Sequence, residues 1–262
     1  MPASKPRKRS RSRSNVRRQS KVWLAVGGVV ALGIVAGVLS GVALTNNSTP
    51  TAAGSLSYTI PPDPTPTALP VLDVQRGTDP LKVLFIGDSL TGSLFASSEA
   101  RGFRPLMVNA MKASGPVIAV EGHRNGGDTA DASKLTNLGS YQNLAIVELG
   151  TNDYNVTTID DFTTDYRAIL AQIVSTSPDV RLLCVGSWQQ PDRGAAYDAV
   201  IKSECEAQGG VYRSIENLQV QESLRGPAGK TGVYGGTSDD FHPNDEGYAA
   251  IAKLLLGAIH LS

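Results

Sequence analysis

From residue 81 to the C terminus, short apolar runs alternate with segments of helical periodicity, and this alternation limits the possible folds. The apolar runs with the pattern of buried strands are 81–86, 117–120, 144–149, 180–185 and 211–215. The helical patterns cover 104–112, 160–174, 195–205 and 244–256. Strands that alternate with helices predict an α/β domain with a mostly parallel five-stranded sheet, covered by helices on both faces. This segment has about 180 residues, enough for one domain with a sizeable core.

The charges of the chain are unevenly distributed, although 24 basic and 24 acidic side chains give a formal net charge of zero. Residues 1–21 contain nine of the Lys and Arg residues and no acid, and the first acid of the chain is Asp63. The rest of the chain therefore has 15 basic and 24 acidic side chains, a net charge of −9. An acidic body behind a basic tail argues against a globular nucleic-acid-binding domain, so we expect no nucleic-acid partner.

A charge-free apolar segment, Val22 to Leu44, follows the basic tail. It is long enough to cross a hydrocarbon core of roughly 30 Å as a helix, whereas the apolar part of a cleaved signal peptide is only about 7–15 residues long. We therefore predict a basic cytoplasmic tail at 1–21 and one transmembrane signal anchor at 22–45, with secretion after signal cleavage as the alternative. Basic residues stay on the cytoplasmic side, so the domain is expected outside the cytoplasm, held at the cell membrane.

Two further features precede the domain. Gly33, Gly37 and Gly41 share one face of the expected membrane helix, which would let a second copy approach closely and form a homodimer. The alternative is that glycine is simply common in membrane spans. Residues 46–80 are rich in Thr, Ser, Ala and Pro. Such a segment cannot bury a core and favours extended polyproline geometry, so it is predicted to be a linker, and the domain is predicted to occupy 81–262.

Four short polar segments lie at the ends of the predicted elements. The segments 85–90, 125–129 and 150–153 directly follow the first three strands, and 239–243 directly precedes the last helix. In parallel α/β sheets, functional sites form at the carboxyl ends of the strands. We therefore expect the polar residues of these segments to meet at one edge of the sheet.

Ser89 and His242 are the candidate nucleophile and base in these segments. Ser89 follows the first strand at a turn that is expected to open a helix, whose N–H groups would favour developing negative charge. A serine hydroxyl needs a base, and of the three histidines His123, His242 and His260, only His242 has an aspartate, Asp239, three residues before it. That carboxylate could hold the Nδ1–H and stabilise the imidazolium. The alternative for Ser89 is a serine that only caps a helix, and the alternative for His242 is an ordinary surface turn. His123 could contact the substrate.

Taken in order, the four segments resemble the four blocks of the SGNH (GDSL-type) hydrolase family. The resemblance rests on Phe-Ile-Gly-Asp-Ser-Leu at 85–90, Asn-Gly-Gly-Asp-Thr at 125–129, Gly-Thr-Asn-Asp at 150–153 and Asp-Asp-Phe-His-Pro at 239–243. It covers nearly all of residues 81–262. It implies a flavodoxin-like three-layer α/β/α sandwich and the hydrolysis of carboxylic esters without a metal ion.

The resemblance also implies roles for individual residues. Ser89 would attack the ester carbonyl, and His242, oriented by Asp239, would take and return the proton. The oxyanion hole would consist of the backbone N–H groups of Ser89 and Gly127 and the side-chain amide of Asn152. Gly127 is preferred to its neighbour at 126 because the family's second block ends in Gly-Asp-Thr.

No cofactor or metal ion is expected, because the two cysteines and three histidines lack metal-ligand spacing and no glycine-rich phosphate loop is present. Cys184 and Cys205 could form a disulfide outside the cytoplasm or remain buried free thiols. Trp188 and Tyr154 follow strand ends, where each could line a pocket or belong to the edge of the core.

The leading functional hypothesis is a membrane-tethered, extracytoplasmic serine esterase that acts on a small-molecule or glycan ester. No long insertion is present that would form a lid over long acyl chains, which favours short acyl groups such as acetyl. The closest rival is an O-acyltransferase with the same triad that acts on envelope glycans. A third hypothesis is a non-catalytic glycan-binding envelope protein.

Overall fold

The structure is a computed structural model that describes residues 69–232 and 236–262. Its strands are β1 (Leu72–Val74), β2 (Leu81–Gly87), β3 (Val117–His123), β4 (Leu144–Glu148), β5 (Arg181–Val185), β6 (Val211–Arg213) and β7 (Ile259–Leu261). Its helices are α1 (Phe103–Lys112), α2 (Thr129–Ala132), α3 (Ile159–Thr176), α4 (Pro191–Ala207), α5 (Glu216–Gln219) and α6 (Asp245–Leu256). Short 3-10 helices cover Glu99–Arg101 and Glu222–Leu224.

Five strands form one parallel sheet in the order β3-β2-β4-β5-β6. The prediction of an α/β domain with a five-stranded, mostly parallel sheet is therefore confirmed. The chain first steps from β2 outward to β3 and then crosses back to β4 on the other side of β2. This reversal leaves a crevice at the carboxyl ends of β2 and β4, where ligand sites form in open α/β sheets.

Alternate residues of β2 face two separate hydrophobic clusters. Leu81, Val83 and Phe85 pack with side chains of α1 and α6 on one face of the sheet. Leu84 and Ile86 pack with side chains of α3 and α4 on the other face. All five side chains are at most 1% exposed. Burying each contributes roughly 1.5–3 kcal/mol, which is why this strand is uniformly apolar from Val83 to Ile86 and why three layers form around it.

α6 begins directly after the segment that carries the candidate base. Asn244 is its N-cap, and the side-chain oxygen accepts a hydrogen bond from the Gly247 N–H at 3.0 Å. The Asn244 amide donates to the Ser223 carbonyl at 2.9 Å, which fastens the helix start to the 3-10 helix at Glu222–Leu224. An N-cap of this kind stabilises a helix by about 1 kcal/mol. The predicted cap therefore also fixes the position of His242, two residues earlier.

The folded domain begins earlier than the predicted boundary at residue 81. Residues 72–74, assigned to the linker, form β1, which pairs in parallel with the C-terminal strand β7. The prediction failed because the strand has only three residues and follows a proline-rich stretch, so no periodicity is visible. Within β7, His260 lies opposite Asp73, with Nδ1 at 3.1 Å from the carboxylate, so this end of the chain is anchored by strand pairing.

Cys184 and Cys205 are joined by a disulfide that connects the buried strand β5 to the end of α4. The sequence left this pairing open. The two cysteines are 21 residues apart, and closing a loop of that length in the unfolded chain is worth about 3 kcal/mol in the chain-entropy model. The bond therefore stabilises the α4 side of the sheet.

The predicted cytoplasmic tail at 1–21, the anchor at 22–45 and most of the linker lie outside the described residues, as do Gly33, Gly37 and Gly41. Among the helices of residues 69–232 and 236–262, none combines the length and the apolar character that a membrane crossing requires.

Candidate active site

The turn after β2 carries the candidate nucleophile. At Gly87 a side chain would collide with Thr91 Oγ1 and come within 2.7 Å of the Glu148 carbonyl oxygen, so only glycine fits. Ser89 follows in a series of tight turns, and between Ser89 and Phe103 the described chain starts no α-helix. The expectation that Ser89 opens a helix was therefore wrong, because the chain continues in tight turns there. The electrostatic environment of Ser89 therefore comes from individual backbone N–H groups and not from a helix dipole.

Ser89 and His242, which are 153 residues apart, meet at the carboxyl edge of the sheet. Ser89 Oγ lies 3.0 Å from His242 Nε2. His242 Nδ1 lies 2.8 Å from Asp239 Oδ2 and 3.0 Å from Oδ1. Because an ionised carboxylate only accepts hydrogen bonds, Nδ1 donates its proton to Asp239, which leaves Nε2 free to accept from the serine hydroxyl. The three side chains can thus move a proton from the serine to the imidazole.

Asp239 also holds the turn that carries His242. Its Oδ1 accepts hydrogen bonds from the backbone N–H groups of Phe241 at 3.0 Å and His242 at 2.8 Å. Burial by itself would raise the pKa of Asp239, but the hydrogen bonds from His242 and Phe241 outweigh it, so the pKa lies below its ordinary value. Asp240 accepts instead from the Ala228 N–H at 2.8 Å. The carboxylate chosen by its spacing is the one that contacts the imidazole.

Aromatic side chains hold the imidazole in place. The rings of Phe95 and Phe241 meet the His242 ring edge-on, with ring centroids 5.2 and 5.4 Å away. Trp188 is fully buried, and its indole N–H donates to the Phe241 carbonyl at 2.7 Å. Trp188 therefore belongs to the core and ties down the turn beside His242. Tyr154 is partly buried and lies under the Arg193 guanidinium, 5.7 Å from its ring centroid.

The other two histidines make no hydrogen bond to Ser89. His123 Nδ1 lies 4.0 Å from Glu121, and His260 contacts Asp73. Of the predicted catalytic residues, the structure therefore brings Ser89, His242 and Asp239 into contact.

Of the three predicted oxyanion donors, Gly127 and Asn152 already have hydrogen-bond partners. The Gly127 N–H donates to the Arg124 carbonyl at 2.8 Å and closes a tight turn. The Asn152 amide nitrogen donates to Asp88 Oδ2 and to the Gly127 carbonyl, both at 3.0 Å. Among the described residues, the Ser89 N–H has no hydrogen-bond partner. The roles of Gly127 and Asn152 stay predictions. Opening of the Arg124–Gly127 turn would free the Gly127 N–H and the one Asn152 N–H that donates to the Gly127 carbonyl, while the other Asn152 N–H can stay on Asp88.

Two fully buried acids, Asp88 and Glu148, lie beneath the nucleophile, and the sequence analysis did not single them out. Glu148 Oε2 accepts from the Thr91 hydroxyl at 3.0 Å and from the N–H groups of Thr91 and Asp88 at 3.3 and 3.4 Å. Burial raises the pKa of Asp88 to about 7 and raises that of Glu148 well above its ordinary value, with the neighbouring Asp88 adding to the second shift. The sequence feature that could have identified Glu148 is that it is an acid within the otherwise apolar segment 144–149.

Replacing Glu148 with glutamine should weaken the dependence of stability on pH. An acid whose pKa is raised by folding stabilises the fold fully below its unfolded pKa, and this stability is lost as the pH rises toward the folded pKa. Glutamine keeps an acceptor for Thr91, and its amide would replace Oε1, which is buried without a partner. We expect the drop in melting temperature from about pH 5 to about pH 8 to shrink by about 3 °C or more, given about 2–4 °C per kcal/mol.

The matched control for that measurement is Glu206→Gln, which changes an exposed carboxylate on α4 in the same way. Its pH dependence should equal that of the unmodified protein. Equal curves for Glu148→Gln and the unmodified protein would contradict the assigned shift of Glu148.

A cavity of about 440 Å³ opens beside His242 and Asp239. Its wall includes the Phe95 ring and polar or charged residues from two loops and the start of α6, namely Ser97, Lys230, Asn244, Asp245 and Glu246. Within residues 69–232 and 236–262, no group of three or more His, Cys, Asp or Glu side chains is placed to hold a metal ion.

The fold is similar to that of several solved esterases. A psychrotrophic esterase EstA from Pseudoalteromonas sp. matches with a TM-score of 0.55 at 12% identity, over 68% of this chain and 96% of that one. An acetyl xylan esterase from Geobacillus stearothermophilus matches with a TM-score of 0.51 at 18% identity, over 68% and 93%. A two-domain esterase (CEX) active on acetylated mannans matches with a TM-score of 0.53 at 15% identity, over 67% of this chain and 48% of that one. This chain thus matches about half of the CEX protein.

At these identities the likeness to the solved structures is one of fold. Comparison with curated protein sequences gave no match. The family model of the GDSL-like lipase/acylhydrolase family matches residues 85–250, which are most of the folded domain and include Ser89, Asn152 and His242. On this match and on the arrangement of these residues, the chain belongs to the GDSL-like lipase/acylhydrolase family.

Proposed function

We propose that this protein is a serine esterase that hydrolyses carboxylic esters through an acyl-enzyme. The observation that carries the proposal is the unbroken series of contacts from Ser89 Oγ to His242 to Asp239. Ser89 Oγ attacks the ester carbonyl while its proton passes to His242 Nε2. His242 then returns the proton to the leaving alcohol, and the acyl group stays on the serine. Water, activated by the same imidazole, attacks the acyl-enzyme and releases the acid.

The cavity beside His242 supports a polar alcohol as the leaving group. Because His242 protonates the leaving oxygen, the alcohol must lie next to its ring, where the cavity wall carries the Lys230 ammonium, the Glu246 carboxylate and the Ser97 hydroxyl. Charged and hydroxyl groups of this kind can hydrogen-bond to a sugar. The similar folds include enzymes described as active on acetylated mannans and as an acetyl xylan esterase. We therefore propose short-acyl esters of glycans, acetyl above all, as substrates.

Acyl transfer is the second candidate function, because the same cavity could admit a sugar hydroxyl where hydrolysis uses water. In that case His242 would deprotonate the acceptor hydroxyl, and the acyl group would move from Ser89 to the sugar. A non-catalytic glycan-binding protein is the third and least favoured candidate, because it would have no use for a serine, imidazole and carboxylate in contact.

The location of the enzyme is also a proposal. The charge-free segment at 22–45 and its basic flank support an N-terminal anchor in the cell membrane, with the catalytic domain outside the cytoplasm. Gly33, Gly37 and Gly41 support a homodimer through one face of that anchor. Resistance of the membrane-bound protein to carbonate extraction would support the anchor. An unchanged yield of crosslinked dimer after Gly37→Leu would contradict the proposed dimer.

The proposed function is tested by the acyl-chain profile of the purified, detergent-solubilised protein. We expect turnover of p-nitrophenyl acetate to exceed that of the butyrate and octanoate esters, and acetate to be released from isolated cell-wall glycan. Acetylated oligosaccharide that appears when a sugar acceptor is added would favour the transferase. Absence of turnover with every ester would overturn both catalytic candidates.

A further inference from the structure

Asp88 directly precedes the nucleophile and has no part in the proton relay, yet it contacts three groups of the site. Its Oδ1 accepts from the Leu90 N–H at 2.9 Å and lies 3.4 Å from the Ser89 hydroxyl. Its Oδ2 accepts from the Asn152 amide at 3.0 Å. The side chain is fully buried, so water cannot replace these contacts. Asp88 therefore connects the nucleophile turn after β2 to the amide that follows β4.

The two hydrogens of the Asn152 amide have different partners, and only one of the two contacts can be kept when Gly127 moves. One points to the Gly127 carbonyl, which lies in the turn that must move if the predicted oxyanion donors are to become available. The other points to Asp88, which lies on the same turn as Ser89 and can keep its contact when Gly127 moves. An amide held by one hydrogen cannot rotate and present its oxygen in place of its nitrogen. The Asp88 contact thus determines which amide atom faces an ester bound at Ser89.

We infer that Asp88 is a positioning residue, whose carboxyl holds the Asn152 amide so that its free N–H points at the oxygen of the reacting ester. The inference rests on the proposed esterase function. It explains why an acid lies under the nucleophile despite the cost of burying it. Both carboxyl oxygens are used as acceptors, one by Leu90 and one by Asn152. An asparagine at this position would have only one acceptor and would turn an N–H toward another N–H.

The inference is tested by a double-mutant cycle with Asp88→Asn and Asn152→Ala in the full-length protein, measured with p-nitrophenyl acetate. Loss of one oxyanion donor typically lowers kcat by about 10²–10³-fold, so we expect this for Asn152→Ala. Asp88→Asn should lower kcat by at least about 10-fold with little change in KM. The double variant should be no slower than Asn152→Ala alone, because without the amide there is nothing left to position.

Asp88→Ser is the second variant, in case the buried asparagine prevents folding. A serine hydroxyl can still accept from the N–H two residues on and keep the turn, but it is too short to reach Asn152. Glu148→Gln is the matched control, because Glu148 is equally buried and supports the same turn without contacting Asn152. Any fold reduction in kcat caused by Glu148→Gln should multiply with that of Asn152→Ala when the two substitutions are combined.

A purely structural role for Asp88 would produce multiplied effects in the Asp88 and Asn152 double variant as well, and that result overturns the inference. Full activity of Asn152→Ala also overturns it, while leaving the esterase proposal intact. An inactive unmodified protein would instead remove the proposed function, so the two failures are distinguishable.

Discussion

Replacing Ser89 with alanine should reduce ester turnover by about 10⁴–10⁶-fold and leave the fold intact. The acyl group has no other acceptor in the proposed mechanism, and in triad enzymes removal of the serine costs about as much as removal of the whole triad. Ser89 is 2% exposed, and its hydroxyl contacts His242 and, at 3.4 Å, Asp88. Alanine removes only that oxygen. Steady-state hydrolysis of p-nitrophenyl acetate, with the melting temperature of each variant, measures both parts of the prediction.

The matched control is Ser133→Ala, because the Ser133 hydroxyl donates only to the Ala130 carbonyl on the short helix α2. Its turnover should equal that of the unmodified protein. A second measurement is covalent labelling with a p-nitrophenyl phosphonate, in which the serine oxygen displaces p-nitrophenol from phosphorus. The mass of the phosphonyl group should be added to the unmodified protein and to Ser133→Ala, but not to Ser89→Ala. If Ser89→Ala retained turnover or labelling, another nucleophile would be responsible and the mechanism would be wrong.

The parallel sheet and the meeting of Ser89 with His242 could be predicted because they follow from strong local patterns. Buried strands such as β2 and β4 are apolar apart from one charged residue each, Lys82 and Glu148, and parallel strands bring their carboxyl ends to one edge. Asp239 could be chosen over Asp240 from spacing alone, because the backbone of the turn fixes which carboxylate reaches the imidazole. β1 escaped prediction because its stability comes from pairing with β7, which a pattern of three residues does not indicate.

The state of the oxyanion donors could not be predicted in the same way. A family block can suggest that Gly127 and Asn152 are donors, but the direction of their N–H groups depends on the turn at 124–127 and on Asp88. Here the turn satisfies its own N–H, and the Asn152 amide bonds to neighbouring acceptors. Buried polar groups seek partners within the protein when no substrate is present, because an unpaired one costs about 1–3 kcal/mol. Donor positions therefore follow from packing and not from spacing.

The substitution Asp239→Asn should lower kcat by about 10⁴-fold without unfolding the turn that carries His242. Asparagine keeps the oxygen that accepts from the Phe241 and His242 N–H groups. Its amide, however, would face Nδ1 with N–H, so the imidazole would carry its proton on Nε2 instead. A protonated Nε2 donates to Ser89 and cannot take its proton, which is the effect of the same exchange in serine proteases. The full-length Asp239→Asn variant should therefore be folded but nearly inactive.

The control is the neighbouring Asp240→Asn, the same chemical change in the same turn, where the carboxylate accepts from the Ala228 N–H and does not touch the imidazole. We expect Asp240→Asn to keep kcat within about 3-fold, because its side chain does not contact the imidazole and the fold should be kept. Surface changes of this kind rarely alter stability by more than about 0.5 kcal/mol. Equal losses for the two variants would mean that the turn, and not the tautomer of His242, limits the reaction. A pH profile separates these outcomes further: the residual activity of Asp239→Asn should rise in alkaline solution, where hydroxide replaces the missing base, while a merely misfolded turn would give no such rise.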